Sequence, residues 1–422
     1  MLFDQNSSLE NIASVILAGG KGTRLHPLTI NHAKPSVSYG GRYRLIDIPI
    51  SNSLNSKINK ILVIGQYLPD GLKNHLDNTY SKYNFSKDIE FTTPEKDKNN
   101  NLVFYEGTAD AVRKNIKKIF KFNSDYILIL SGDQLYNIDF KEMYEFAKKN
   151  DADLTIASLP VTKNDAKRLG ILKTNENFEI IDFFEKPQKD EILNSLKMLK
   201  SNDKKKYLGS MGIYIFKTKS LEKLLTLDPR DDFGKHLIPT QLSLGKTFSY
   251  IYNGYWEDIG TIKSFYEANI SLSLSKCGLK TYDEINPIYT TAHNLPGAKI
   301  KNSLIVDSII CEGCIIEACK ISRSMIGIRT RINKNALIED SVLLGNTTYN
   351  SLLNTKNIRN TFEIGENTII KKAIIDEHVK IGKNVKLINK NNYKNFDGKE
   401  IFVKDGIIIV TAESIIPNNY EF

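Results

Sequence analysis

The chain has 422 residues, with 58 Lys+Arg against 49 Asp+Glu, a formal net charge of +9. That length predicts two or three domains with ample core, and 41% apolar with 25% charged residues argues against disorder. No apolar run reaches the roughly 18 residues of a membrane span, Met1–Asn11 lacks the basic and apolar regions of a secretory signal, and four Cys make no disulfide framework. The positive charge is spread along the chain: residues 271–422 hold 20 Lys+Arg and 16 Asp+Glu, a balance close to that of residues 1–270. With no basic domain or tail, the pattern speaks against a nucleic-acid or membrane partner.

In chain order, Val15-Ile16-Leu17 reads as a buried strand that leads into Ala18-Gly19-Gly20. Lys60 to Ile64, Tyr126 to Leu130 and Leu154 to Ala157 are further strand-like runs, with amphipathic helices predicted over Thr108 to Phe122 and Phe140 to Lys149. Apolar strands alternating with helices predict an α/β domain with a mostly parallel sheet covered on both faces. Residues 1–270 are assigned to it, and 271–294 to a linker. From about residue 295 aliphatic residues recur every six positions: Ile309, Ile315, Ile321; then Ile326, Ile332, Ile338, Leu344; then Ile369, Ile375, Ile381, Leu387. That period fits a parallel β-helix over residues 295–422. Gly313, Gly327, Gly365 and Gly382 are expected in its tight turns, and Gly345 to Asn360 reads as a loop interrupting the repeats.

The first site feature is Leu17-Ala18-Gly19-Gly20-Lys21-Gly22-Thr23-Arg24-Leu25, a strand running into glycines and cations. Glycines let backbone N–H groups approach phosphates, and Lys and Arg neutralise them. The segment is neither a P-loop nor a dinucleotide fingerprint, so alone it is a weak signal. It is followed by Ala33-Lys34-Pro35, Gly107-Thr108-Ala109-Asp110-Ala111, Ser131-Gly132-Asp133, Phe184-Glu185-Lys186-Pro187, Ser210-Met211-Gly212-Ile213-Tyr214 and Trp256-Glu257-Asp258-Ile259-Gly260-Thr261. In this order the set resembles the sugar-nucleotide pyrophosphorylases, from about residue 12 to 417. Gly40-Gly41-Arg42-Tyr43-Arg44-Leu45-Ile46-Asp47 and Asp232-Phe233-Gly234-Lys235 look like the glucose-1-phosphate adenylyltransferase branch. Ser131 to Tyr136 and Leu387 to Asn392 look closest to its plant and cyanobacterial forms.

The resemblance implies a Rossmann-like nucleotidyltransferase domain followed by a left-handed parallel β-helix serving regulation and oligomerisation. It implies conversion of ATP and glucose 1-phosphate to ADP-glucose and pyrophosphate with Mg²⁺, in glycogen or starch synthesis, by a homotetramer. The cytoplasm is the expected location, or the plastid stroma if a transit peptide has been removed. Such a reaction asks for positioning and electrostatics rather than a general base, because the sugar-phosphate nucleophile is already ionised. By resemblance, Asp133 and Asp258 would hold the metal, Lys21 and Arg24 would meet the triphosphate, and Lys34 would lie near the reacting phosphates. Lys186 would bind the sugar phosphate, with Glu185, Ser210 and Gly170 at the sugar. Gln66, Gly107 and Thr108 would contact adenine, and Leu17, Ala18, Gly19, Gly20 and Tyr105 complete the expected substrate-binding set.

Other features are read structurally. Cys311, Cys314 and Cys319 lack a fourth zinc ligand at usual spacing and are expected as small buried residues. His378 is expected at the surface or in a turn. The aromatics are too scattered for a nucleic-acid stacking platform. Where relatives carry effector-binding lysines, this chain carries Asn31, Glu377 and Thr411, which predicts weak or absent activation by phosphorylated metabolites. Two alternatives stay open: an enzyme of the same fold using UTP, dTTP or GTP, and a non-catalytic regulatory subunit. Retention of Arg24, Lys34, Asp133 and Asp258 favours an active subunit.

Overall fold

The computed structural model describes residues 9–422 except 84, 86, 100–101, 199–203, 275–277 and 351–360. Most of the N-terminal segment read for a signal, and the end of the Gly345 to Asn360 loop, lie outside the described residues.

The apolar runs form the centre of the first domain. Strands β1 (Ile12–Ala18), β2 (Ile61–Gly65), β3 (Ile89–Thr92) and β4 (Tyr126–Ser131) lie side by side and parallel in the order β3-β2-β1-β4. Period-two alternation sends β1 side chains into two cores: Ile12 and Ile16 join one cluster, Ala13 and Val15 the other. Both faces are therefore dry, as near-continuous aliphatic strands require. The sheet continues through β5 (Leu154–Val161), β6 (Gly170–Thr174), β7 (Ile180–Glu185), β8 (Tyr207–Lys217) and β9 (Thr247–Ile251). The long strand β8 runs antiparallel to β4, β5 and β6, and β9 runs parallel to β5.

Of the expected helices, Thr108 to Phe122 becomes α1 (Thr108–Lys114) and a short continuation at Ile116–Phe120, broken at Asn115. The second is α2 (Phe140–Lys149), started by Asp139, whose carboxylate accepts the Lys141 N–H at 2.9 Å. Among the described residues no helix is long and apolar enough to cross a membrane.

Helix α3 (Ile262–Leu272) closes the domain, started by a capping box between Thr261 and Ser264. The described residues of the segment that follows have no regular structure up to residue 298, yet they are strapped down. The Tyr289 N–H donates to Ser51 Oγ at 2.9 Å, Asn55 Nδ2 donates to the Pro287 carbonyl at 3.0 Å, and Thr291 shares a hydroxyl bond with Thr79.

The described residues of 299–422 coil mostly into stacked parallel rungs, with an antiparallel meander over Phe396–Asp397, Ile401–Lys404 and Ile407–Val410. Ile316 pairs with Ile332, Ile321 with Ile338 and Ile326 with Leu343, so one coil takes 16 or 17 residues. A strict six-residue period would give 18 per coil, and this is why the sequence phase drifts. Ile316 rather than Ile315, Leu343 rather than Leu344, and Ile370 rather than Ile369 fill the core. Leu344 instead faces the first domain, in an apolar interface with Phe265, Met325 and Ile374.

The glycines also differ from expectation. Only Gly313 among the four has a left-handed backbone, with φ +74°. Gly327, Gly365 and Gly382 are glycine because coils stack on them: a Cβ at Gly365 would lie 2.3 Å from the Gly382 carbonyl oxygen. Asparagine is the residue that most often takes the left-handed corners among the described residues. Asn335, Asn367, Asn384 and Asn419 have φ near +60° and donate amide to amide in a column at 3.1, 3.0 and 2.9 Å. Cys311, Cys314 and Cys319 are buried thiols, and burial pushes Cys314 up to about 12.

Candidate active site

Parallel strands all end at one edge, and there the chain turns polar. After β1 come Gly19, Gly20 and Lys21, after β2 comes Gln66, and after β4 come Gly132 and Asp133. Leu17 and Ser131 are direct neighbours in the β1–β4 register, and the Gly132 N–H donates to the Leu17 carbonyl at 3.0 Å. The Gly-rich loop and Asp133 are thereby fixed beside each other, although more than a hundred residues separate them.

A cleft of about 500 Å³ opens at this edge. Leu17, Gly19, Gly20, Lys21, Lys34 and Asp133 form one part of its wall. Gln66, Tyr105, Gly107 and Thr108 form a second, and Glu185 belongs to a third.

Lys34 is the most constrained cation. It begins the turn Lys34–Ser36, is 8% exposed, and its Nζ bonds Asp133 Oδ2. The other Asp133 oxygen accepts from Ser131. The turn packs against Gly22, whose φ is +66° and where a Cβ would lie 3.0 Å from the Lys34 Cβ. A side chain at Gly22 would therefore be strained and would crowd Thr29 and the base of Lys34.

Asp258 comes to the same place by strand pairing. Trp256–Asp258 runs antiparallel to Gln134–Tyr136, with Asp258 opposite Gln134. Burial first, and then the charge of Asp133, hold the Asp258 carboxyl above its ordinary range, while Lys34 and Arg24 act in the other direction. Two hard oxygen donors brought to one place, with the charge of Asp133 raising the cost of ionising Asp258, fit a divalent cation that keeps several waters, such as Mg²⁺. Arg24 stands on the same side, its guanidinium reaching the Cα of Gly260 closely enough to touch a Cβ there at 3.4 Å.

Glu185 ends β7 and lies against Gly170 and Gly234, where a Cβ would come within 2.8 Å of its Oε2. Lys186 follows in a left-handed conformation, φ +49°, and its Nζ pairs with Glu185 Oε1 at 3.0 Å. It is more than half exposed, at the rim. Ser210 is buried and accepts the Gly212 N–H at 3.2 Å. The Gln66 amide is tied to the Tyr105 backbone: Oε1 accepts the Tyr105 N–H at 2.6 Å and Nε2 donates to its carbonyl at 3.4 Å. Ala18 ends β1 with its methyl in the core. Thus eleven of the expected residues line the cleft, while Ala18, Arg24, Gly170, Lys186, Ser210 and Asp258 stand behind or around it.

Sequence reasoning gives no role to Tyr67, Tyr214 or Asp232, and all three line the cleft. The Lys21 ammonium lies 5.6 Å from the Tyr67 ring centroid. Burial, then the Glu185 charge, hold the Tyr214 hydroxyl well above its ordinary range, so it stays a neutral donor. Asp232 starts the helical turn Phe233–Leu237, accepting the Lys235 N–H at 2.9 Å. The last two lie within motifs quoted above, so only their roles were unread. Tyr67 carries no signal beyond following Gln66.

Residues 13–274 match the family described as Nucleotidyl transferase. Residues 293–420 match the GLGC left-handed parallel beta-helix domain. The chain therefore belongs to the nucleotidyl transferase family, and it joins that domain to a GLGC-type left-handed β-helix, the architecture of glucose-1-phosphate adenylyltransferase.

Proposed function

We propose that this chain makes ADP-glucose and pyrophosphate from ATP and glucose 1-phosphate. The observation that carries the reading is the convergence of the Gly19–Lys21 loop, the Lys34–Asp133 pair and Glu185 on one cleft. A phosphate oxygen of the sugar phosphate attacks the ATP α-phosphorus in line with the departing pyrophosphate. Both reactants are anions, so the work of the protein is to gather them and to absorb charge as the leaving group departs. Lys21 and Arg24 take the triphosphate, Lys186 the sugar phosphate, and Lys34 the phosphates between them. Asp133 and Asp258 would hold Mg²⁺, which supplies positive charge to the phosphates when bound. Tyr105, Gln66, Gly107 and Thr108 supply the adenine wall, and Ser210, Glu185 and Gly170 the sugar wall. The product would feed glycogen or starch synthesis.

The test is pyrophosphate release by the purified chain with ATP, UTP, dTTP or GTP, each paired with glucose 1-phosphate and other sugar 1-phosphates. ATP with glucose 1-phosphate should be the fastest pair. Release with another nucleotide alone would reassign the substrate, and no release from any pair would make the chain a non-catalytic subunit.

Activation by phosphorylated metabolites is expected to be weak. Glu377 is engaged by Arg44 and Ser38 of its own chain, and the Thr411 hydroxyl is bonded to the Glu400 carbonyl and to Ser414. Strong stimulation by 3-phosphoglycerate in an activity titration would overturn this. A homotetramer is the expected assembly. The first β-helix coil exposes Ile300, Leu304 and Val306, apolar side chains suited to burial against another copy. Light scattering on the purified chain checks the mass.

A further inference from the structure

One carboxylate of the β-helix reaches into the first domain. Glu377 lies at a corner between the strands Ala373–Ile375 and Lys380–Ile381, and it is 6% exposed. Its Oε1 accepts a hydrogen bond from Ser38 Oγ and faces Arg44 Nη2 at 3.3 Å. Ser38 and Arg44 are directly opposite each other in the small hairpin Ser38–Tyr39/Tyr43–Arg44. The other terminal nitrogen of Arg44, Nη1, donates to the carbonyl of Ser36. Ser36 closes the turn that begins at Lys34. The Arg44 fork therefore ties the β-helix carboxylate to the backbone of the turn that presents Lys34 to Asp133.

The Arg44 backbone is fixed independently. Its N–H donates at 2.9 Å to Asp47, a fully buried carboxylate also held by His75 and Tyr80. Only the direction of the guanidinium is left for Glu377 to decide. Beside the pair is a cavity of about 300 Å³ whose wall includes Arg42, His75 and His293. Without the Glu377 charge, Arg44 has room to turn into that space and release Ser36. Burial would push the Glu377 carboxyl up, but Arg44 and Ser38 more than offset it and hold the group below its ordinary range. It stays an anion through the neutral range.

We propose that Glu377 is a positioning residue for nucleotidyl transfer: from the β-helix it aims Arg44 at the Ser36 carbonyl, and so sets the turn that holds Lys34 against Asp133. The proposal rests on the reading of the cleft given above. A carboxylate at this position is then a permanent part of the catalytic framework, bonded within the chain rather than facing solvent.

The experiment uses the full chain and two readouts. The first is the rate at which acetic anhydride labels Lys34, followed by peptide mass spectrometry, which needs no turnover. Glu377→Gln should label Lys34 several-fold faster than the unaltered chain. Tyr266→Phe, which removes a different contact between the domains (Tyr266 Oη to the Asp340 carbonyl, 2.6 Å), should not. The second readout is kinetic: Glu377→Gln should lower kcat by about ten- to a hundredfold while both KM values stay within about twofold. Added to Lys34→Ala it should cost nothing further. Should Glu377→Gln fold poorly, Arg44→Lys tests the same link, because a single ammonium cannot span both Ser36 and Glu377. It should give the same labelling and the same split between kcat and KM. Unchanged Lys34 labelling in both variants, or losses fully additive with Lys34→Ala, would overturn the proposal. If the unaltered chain released no pyrophosphate with any nucleotide, the functional reading would fall, and the labelling rates would still decide whether Glu377 sets Lys34.

Discussion

The carboxyl edge of the first sheet and the corners of the β-helix are both places where buried parallel strands end. At the sheet edge each strand is followed by different chemistry: glycines and Lys21 after β1, Gln66 after β2, Asp133 after β4. Those groups point into a shared space and leave it open. At the β-helix corners the same kind of residue recurs, and the groups satisfy one another, as in the amide column from Asn335 to Asn419. Polar groups that neutralise their neighbours build a scaffold. Polar groups held apart by different strands, with the charge of Asp133 raising the cost of ionising Asp258, build a site.

The comparison breaks most visibly at Asp133. Asp133→Asn should reduce turnover by about a thousandfold while leaving the thermal midpoint near that of the parent. Steady-state pyrophosphate release and a melting curve, taken on one preparation, measure both. Near-normal turnover would remove Asp133 from the site. The opposite pattern belongs to Ile370, fully buried in the β-helix core. Ile370→Ala should cost about 3 kcal/mol of stability in urea unfolding and leave kcat at low temperature almost unchanged. Lys186→Ala sharpens the distinction within the site. A half-exposed cation at the rim contributes ground-state binding, so KM for glucose 1-phosphate should rise by about thirtyfold with a smaller change in kcat.

The smallest effect concerns Asp376. Burial first, and then the charge of Glu377, push its carboxyl up to about 7, against backbone hydrogen bonds and Arg44. An unfolded chain ionises this group near its ordinary value of 3.8. Between those values the folded protein binds a proton that the unfolded chain has released, so stability falls as pH rises through this window. Asp376→Asn stays neutral throughout. Its urea midpoint should match that of the parent at pH 4 and exceed it at pH 8, by on the order of 1–2 kcal/mol. Equal midpoints at pH 8 would mean that Asp376 is no liability.

The same contrast explains what could be read without coordinates. Repetition is local, so the β-helix was legible from aliphatic spacing alone. Its register was not, because coils of 16 or 17 residues shift the inward position by one at Ile315, Leu344 and Ile369. The parallel strands were equally plain, since β1 and β4 are continuous aliphatic runs. The site was legible only through motifs. Lys34 and Asp133 are 99 residues apart, and no periodicity links them. Tyr67 carries no such signal, because an aromatic after a strand is common. The Arg44–Glu377 link is illegible for a related reason: in the sequence Glu377 reads only as a carboxylate in place of an effector lysine, until its partner across the domain boundary is known.

Asn350 and Thr361 face each other as an antiparallel bridge. Beyond them the stack resumes with Ile370 beside Ile338. The chain thus leaves the coil and re-enters it at nearly the same point. The bridge holds the two ends of the interruption together, so the rungs above and below keep their register across it.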